Sequence, residues 1–365
     1  MKSKISRNIL DSALAHCYDA CEKKSLESIV KFVFSNNKAI LSCKGSFTYY
    51  EQEIPLISCD SDCTFFIKTN TILEFVKHVS TEELILGYEE SKNSCIVSSS
   101  DKKSKIMFPC IASEVEIGQN NTYTVNFTIQ NPNDFINKFM NSSKFCSYNT
   151  QDHPLTGIHL KINENKMEIK ATNGISFYES FVDKESTGEC EVYLPKKSPQ
   201  IVKNIFTDNA LKKCSINNIS VLFESDNCKL KIYLEKCEKD SFPTQIVEWS
   251  KKTSNIKIKV SSGTLLNTLK FFNGVFNDSR IRMVIKDGTL SIESAEDNVA
   301  AKETVTTEIC QGEATSSYTT KSFIDCMESL QASWVNLEFI NMKEDFYICK
   351  FTNDSTLTLL CPTIS

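Results

Sequence analysis

Two short stretches hold the residue types from which a metal site could be built. Cys59-Asp60-Ser61-Asp62-Cys63 gathers two thiols and two carboxylates, and His16, Cys17 and Cys21 share one helical stretch. Neither has the paired C-x-x-C spacing with which four ligands cage zinc, so no metal is expected. The four histidines, His16, His78, His153 and His159, lie outside any H-E-x-x-H pattern. Asp287-Gly288-Thr289 reads as a hairpin turn and not as a glycine-rich phosphate loop. Carboxylates are plentiful, but most fall in alternating strands or connections, where solvated faces are the default. With no nucleophile–base pair and no cofactor cradle, the sequence predicts a non-catalytic protein without cofactors.

The elements around these residues repeat. The stretch 158–174, IHLKINENKMEIKATNG, alternates apolar and polar residues on both sides of a polar turn, the pattern of a half-buried antiparallel hairpin. It aligns with 29–43 and 281–294, which places Lys38, Lys166 and Thr289 in register. Only the copy at 158–174 ends in Ala-Thr-Asn-Gly. A helical stretch precedes each hairpin, at 5–21, 131–143 and 261–275, with apolar residues three and four apart such as Phe135, Ile136 and Phe139. Asn, Asp or Ser opens the latter two, as helix caps do. A second helical stretch follows, at 69–80, 195–206 and 319–330, and further strands come after each. A threefold tandem α+β repeat results, with domains expected at 1–120, 121–250 and 251–365 and two similar helix-plus-sheet halves in each.

The 365 residues suit two or three domains at about 150 residues each. With 41% hydrophobic residues and only 10 Gly and 8 Pro, the chain can bury real cores and has little material for long flexible linkers. Its 16 Cys are irregularly spaced and sit mostly in apolar or alternating runs, so they are expected as reduced, buried thiols. No apolar run approaches a membrane span, and Asp11 and His16 interrupt the stretch behind the basic first residues. An intracellular, soluble protein is expected. The net charge of −5 argues against indiscriminate nucleic-acid binding, but not against basic residues gathered on one surface.

Several segments resemble the bacterial β sliding clamp, the processivity subunit of DNA polymerase III. They are PLTGIHLKINENKMEIKATNGISFYES, VYLPKKSPQIVKNIF, CEKDSFPTQIVE and the terminal TLTLLCPTIS. The resemblance covers the whole chain and implies the DNA-clamp fold. In that fold a three-domain protomer pairs head to tail into a ring, with helices lining a hole and sheets forming the outer wall. Double-stranded DNA would thread it without sequence preference, held by encirclement and weak phosphate contacts. The cations placed on or near the helices are then expected to face DNA: Lys4, Arg7, Lys23, Lys24, Lys77, Lys138, Lys144, Lys196, Lys197, Lys203, Lys270 and Lys321.

The resemblance also implies a partner-peptide groove between the middle and C-terminal domains. Carried over by position, it would involve Leu155, Thr172, Gly174, Ile175, Phe177, Pro243, Val247, Leu359, Leu360, Cys361, Pro362 and Thr363. Implied partners are a second copy of the chain, the polymerase catalytic subunit and a clamp loader, in a cytoplasm with nucleoid or in an organelle matrix, and no membrane. The chain departs from the family pattern at Ile175 and Ser176, where His-Arg is usual. It departs again after Phe-Pro, in the terminal strand, and at 150–155, where TQDHPL stands near the DNA-contacting loop in place of an aromatic pair. The alternative is a protein-interaction scaffold of the same fold that does not encircle DNA.

Overall fold

A computed structural model describes residues 1–21, 28–112, 122–149, 155–163, 165–183, 188–207, 210–236, 242–276, 280–294, 301–343 and 346–363. The chain opens with β1 (Lys2–Ser6), α1 (Arg7–Ala20), β2 (Ile29–Ser35), β3 (Lys38–Lys44), β4 (Thr48–Pro55), the short β5 (Ser58–Cys59), β6 (Cys63–Lys68), α2 (Thr69–His78), β7 (Glu83–Glu89), β8 (Ser94–Ser99) and β9 (Lys105–Pro109). It continues with β10 (Val125–Thr128), α3 (Pro132–Ser142), β11 (Gly157–Ile162), β12 (Lys166–Thr172), β13 (Ser176–Asp183), β14 (Cys190–Pro195), α4 (Ser198–Phe206), β15 (Lys213–Ile216), β16 (Ser220–Glu224), β17 (Cys228–Tyr233) and α5 (Thr244–Lys251). The last stretch holds β18 (Lys257–Ser261), α6 (Ser262–Phe276), β19 (Arg280–Lys286), β20 (Thr289–Ser294), β21 (Lys302–Val305), β22 (Thr307–Gln311), β23 (Ala314–Thr319), α7 (Thr320–Leu330), β24 (Trp334–Lys343), β25 (Phe346–Thr352) and β26 (Thr356–Leu360).

One phrase recurs six times: a strand, a helix, then a meander of three strands. The three hairpins read from the sequence form as expected, and Lys38, Lys166 and Thr289 each open the second strand of their pair. Two of the turns show why. Asn36-Asn37 and Asp287-Gly288 hold positive φ at both central positions. That is the turn whose twist matches a two-residue hairpin, and Asn, Asp and Gly tolerate it best. Asn131 caps α3, its Oδ1 accepting from Asp134 N at 3.1 Å. The first helix is shorter than its apolar period suggests. Residues 2–6 are instead a strand, because they pair with β7 from Lys2↔Gly87 to Ser6↔Glu83.

By packing, the described chain falls into two compact units. The first takes in residues 1–136, 184–189 and 197–234, and the second 137–183, 190–196 and 235–365. In the first, an eight-stranded sheet runs β10-β15-β16-β17-β4-β3-β2-β6 and a five-stranded one β5-β1-β7-β8-β9. Helix α1 packs on β3 and β4 and against α2 and α4. In the second unit a nine-stranded sheet runs β14-β11-β12-β13-β26-β25-β24-β18-β22 and a four-stranded one β21-β20-β19-β23. There α6 and α7 pack together, α7 against β23, β25 and β26. The long sheets are built from strands far apart in sequence, joined at β17·β4 and at β13·β26, which is why the compact units do not follow the sequence repeats. Large apolar side chains fill the cores, with Phe32, Phe34, Tyr50 and Phe223 buried in the first unit and Phe177, Phe272, Phe323 and Phe351 in the second.

Nine of the fifteen described cysteines are buried, as small apolar residues would be. Burial pushes the Cys146 thiol up to about 12 and the Cys361 thiol to about 11. Among the described residues no group of His, Cys, Asp and Glu could hold a metal ion. Asp60 Oδ1 instead accepts from Lys2 N and Ser61 Oγ, and His16 meets Tyr50 and Gln52 in the core. No described helix is long and apolar enough to cross a membrane.

Candidate functional site

The turn at 172–176 is built from its side chains. Asn173 Oδ1 accepts from Ile175 N and Ser176 N at 3.0 and 2.8 Å, while Thr172 Oγ1 accepts from Gly174 N and donates to Ser176 O. Such self-bonding is what makes Asn a turn former. The same device closes two other hairpins, where Asn217 accepts from Ile219 and Ser220 and Asn353 from Ser355 and Thr356. Gly174 sets the 172–176 copy apart. Its φ is +86°, a conformation that costs a Cβ-bearing residue, whereas Asn218 and Asp354 stay at negative φ. The result is a flat, open turn with Ile175 55% exposed.

This turn stands at one end of the strand pair β13·β26, with Phe177 opposite Leu359 and Ser176 opposite Leu360. The pairing continues past the strand, Cys361 N donating to Ile175 O at 2.8 Å. Phe177 and Leu359 form a cluster with Ile246, Ile340 and Ile348, on which Phe242, Val247, Trp249 and Cys361 pack. All twelve sequence-predicted groove residues lie in the second unit. Thr172, Phe177, Leu359, Leu360 and Pro362 are buried; Leu155, Gly174, Ile175, Pro243, Val247, Cys361 and Thr363 keep exposed surface. Leu360 points away from the cluster by strand alternation, toward the face that carries α7.

Phe242 and Trp249 belong to this surface without having been singled out in the sequence. The Phe242 ring lies 5.1 Å from His159 and 6.1 Å from Phe177. Beside it, His159 Nε2 sits 2.6 Å from Glu191, while its Nδ1 is buried with no partner among the described residues. Burial therefore holds the His159 pKa below the ordinary value despite the carboxylate, because a charged ring would strand an N–H. Lys170, 2.6 Å from Glu168 and 3.1 Å from Glu179, goes the other way. Burial opposes its charge, but the two carboxylates outweigh it and the pKa rises.

The cations expected to face DNA are placed unequally. In the first unit the Arg7 guanidinium donates to Val76 O and Lys77 O at 3.0 and 2.8 Å, closing the end of α2. Lys4 pairs with Glu83, and Lys77 lies 3.5 Å from Glu74. Lys197 and Lys203 are exposed at α4. In the second unit Lys138 donates to Phe181 O, and Lys144 and Lys270 flank Glu328 at 3.5 and 3.0 Å. The hydrogen bond from Lys270, with help from Lys144, pulls the Glu328 carboxyl below its usual range. Lys321 is exposed. Lys196 donates to Cys146 O at 2.8 Å and stands 3.1 Å over the ring of Tyr148, which is 88% exposed. That tyrosine is an aromatic presented just before 150–155, and its spacing in the sequence gave no sign of it. Lys23, Lys24 and residues 150–154 lie outside the described residues.

Repeated helix-plus-meander phrases, with sheets fused edge to edge across the sequence repeats, define a class of fold, the DNA clamp. Its particular form here is that of the bacterial DNA polymerase III β subunit. The chain superposes over 100% of its length on 100% of the Pseudomonas aeruginosa β subunit, with a TM-score of 0.87 at 14% identity. The Bacillus subtilis DNA polymerase sliding clamp gives 0.87 at 16%, with 99% of that chain covered. The Helicobacter pylori β clamp, solved with a DNA ligase peptide bound, gives 0.84 at 15% with both chains fully covered. No protein-family model matches the chain, and no curated sequence does.

Proposed function

We propose that this chain is a non-catalytic sliding clamp that encircles duplex DNA as a head-to-tail dimer and tethers a polymerase. The observation that carries the reading is a pair of incomplete sheets. In the two long sheets, a four-strand set ending in β4 or β13 meets a set ending in β17 or β26, of four strands in the first sheet and five in the second. The sets ending in β21 and β9 occupy the same places in the repeat, and among the described residues those two edges have no partner strand. A free edge is a template for another chain. Two copies, each offering β9 to the other's β21, satisfy both edges twice over by a single twofold axis. Apolar residues support the junction: Phe75 and Ile106 are half-buried at one edge, and Phe271 and Val275 are 55% and 57% exposed on α6, which packs against β21.

On this reading the three repeats 1–120, 121–250 and 251–365 are the clamp's domains. The exposed Lys197, Lys203 and Lys321, with Lys196 and Tyr148, meet the phosphate backbone without reading bases. The surface around Ile175, Val247, Cys361, Phe242 and Trp249 takes short apolar peptides from the polymerase, a clamp loader and other partners, as the ligase-peptide complex of the H. pylori clamp suggests. The cellular place is the cytoplasm, on the nucleoid. A second reading, the non-encircling scaffold, draws on the pairing of Lys4, Lys77, Lys144 and Lys270 with carboxylates, which lowers the charge available to DNA.

Retention on DNA separates the two. A loaded clamp stays on a nicked circle through gel filtration and leaves when the circle is cut. Lys203→Glu with Lys321→Glu is expected to shorten that retention and flatten its salt dependence while the melting temperature holds. Equal retention on circular and linear DNA, or none on either in the presence of a loader, favours the scaffold.

A further inference from the structure

The outer face of the sheet β5-β1-β7-β8-β9 carries a dent that the clamp reading does not use. One row across this face runs Lys2, Gly87, Ile96, Met107, and the next runs Lys4, Ile85, Ser98, Lys105. Gly87 lies within β7, where a glycine weakens a strand and commonly marks the close approach of something else. Among the described residues nothing comes closer than ordinary contact. A Cβ built there would come no nearer than 3.8 Å to any atom, and the residue's φ is not positive. A dent of about 360 Å³ lies there instead, lined by Gly87, Ile85 and Ile96, by Lys2, Lys102 and Lys105, and by Glu89.

Positive charge outweighs negative on this lining: its one carboxylate, Glu89, is paired with Lys92 and also feels the charge of Lys105. Lys4 is taken up by Glu83, Lys92 by Glu89 and Lys103 by Asp101, but Lys2, Lys102 and Lys105 form no ion pair among the described residues. Lys102 is also held at φ +60° in the β8–β9 turn, a conformation that glycine or asparagine adopts at lower cost. Around an apolar hole in an otherwise acidic chain, three such ammonium groups select for negative charge.

We infer that this dent is a second docking site, separate from the surface at Ile175, for an acidic peptide that seats one aliphatic side chain over Gly87 between Ile85 and Ile96. Acidic residues on either side of that anchor meet Lys2, Lys102 and Lys105. The inference does not depend on ring formation, since pairing at β9 uses its backbone edge and leaves the outer face of the strand open.

The probe is a short fluorescein-labelled peptide of Asp and Glu around a single Leu, titrated with the full chain and followed by anisotropy. Saturable binding that weakens with salt is expected, and replacing the Leu by Ser should abolish it. Gly87→Leu fills the dent and should weaken binding about tenfold or more while melting stays level or rises. Lys102→Glu with Lys105→Glu should weaken it comparably, and Lys161→Glu, on β11, should not. The inference is overturned by no saturable binding, by binding indifferent to Gly87→Leu, by an equal loss with Lys161→Glu, or by loss on Val247→Asp with Gly87→Leu silent.

Discussion

His159 Nε2 lies 2.6 Å from a carboxylate, and an exposed pair of this kind would raise a histidine's pKa. Here the ring is buried under Phe242, and among the described residues its Nδ1 has no acceptor to take a second proton's hydrogen bond. Its pKa therefore falls below the unfolded value of about 6.5. The sign of the linkage follows. An unfolded chain binds this proton at a pH where the folded one refuses it, so the stability present above pH ~6.5 drains away as pH drops below it. Melting measured from pH 7.5 down to 5 should show that decline, and His159→Gln should flatten it; a slope unchanged in the variant would place the titration elsewhere. Lys170 adds nothing in this window, because its raised pKa belongs to the alkaline side.

Hairpins and capped helices are elements that local chemistry specifies, and these were readable from the chain. Alternation marked the strand pairs, and Asn-Asn and Asp-Gly supplied the left-handed turn residues. Three elements show where legibility stopped. Strand β1 has Ile5 as its one large apolar residue and takes its form from pairing with β7. Helix α5 has eight residues, too few for a period to stand out or for the helix to hold by itself; packing of Ile246, Val247 and Trp249 maintains it. The asparagine-closed turn looked private to 172–176 because Gly174 drew the eye, while Asn217 and Asn353 make the same bonds without a glycine. Asn353 does more than its relatives, since its Nδ2 also donates to Leu330 O at the end of α7. Asn353→Ala leaves part-buried donors and an acceptor unmet and cuts the link to α7, and should cost about 2 kcal/mol in chemical denaturation, more than Asn217→Ala, whose bonds all stay within its own turn. Equal losses would mean that the link to α7 adds no stability.

At the scale of the whole molecule, sheet edges hold information that neither residue types nor periods contain. No feature of Thr48–Pro55 in the sequence says that it will pair with Cys228–Tyr233, yet that junction fuses two repeats into one sheet. Likeness of sequence pointed to residues flanking β13 and β26 as a peptide surface, which remains a proposal, and the strand pairing shows where those residues lie. The edges β9 and β21, unmatched among the described residues, carry the proposal of pairing beyond one chain. An edge strand left open invites indiscriminate pairing, and a closed set of partners removes that hazard. Lys105, Pro109 and Lys302 at these edges disfavour promiscuous association while leaving a specific match possible. In the proposed dimer the apolar residues beside them would carry the affinity, because a few buried anchors dominate an interface. Phe271→Asp with Val275→Asp places charge where a second copy would bury hydrocarbon, and both positions are exposed within the chain, so the fold should survive. Light scattering at micromolar concentration should give a dimer for the natural chain and a monomer of unchanged melting temperature for the double variant. A monomeric natural chain would remove the sheet-completion argument, and a dimeric variant would move the junction away from α6.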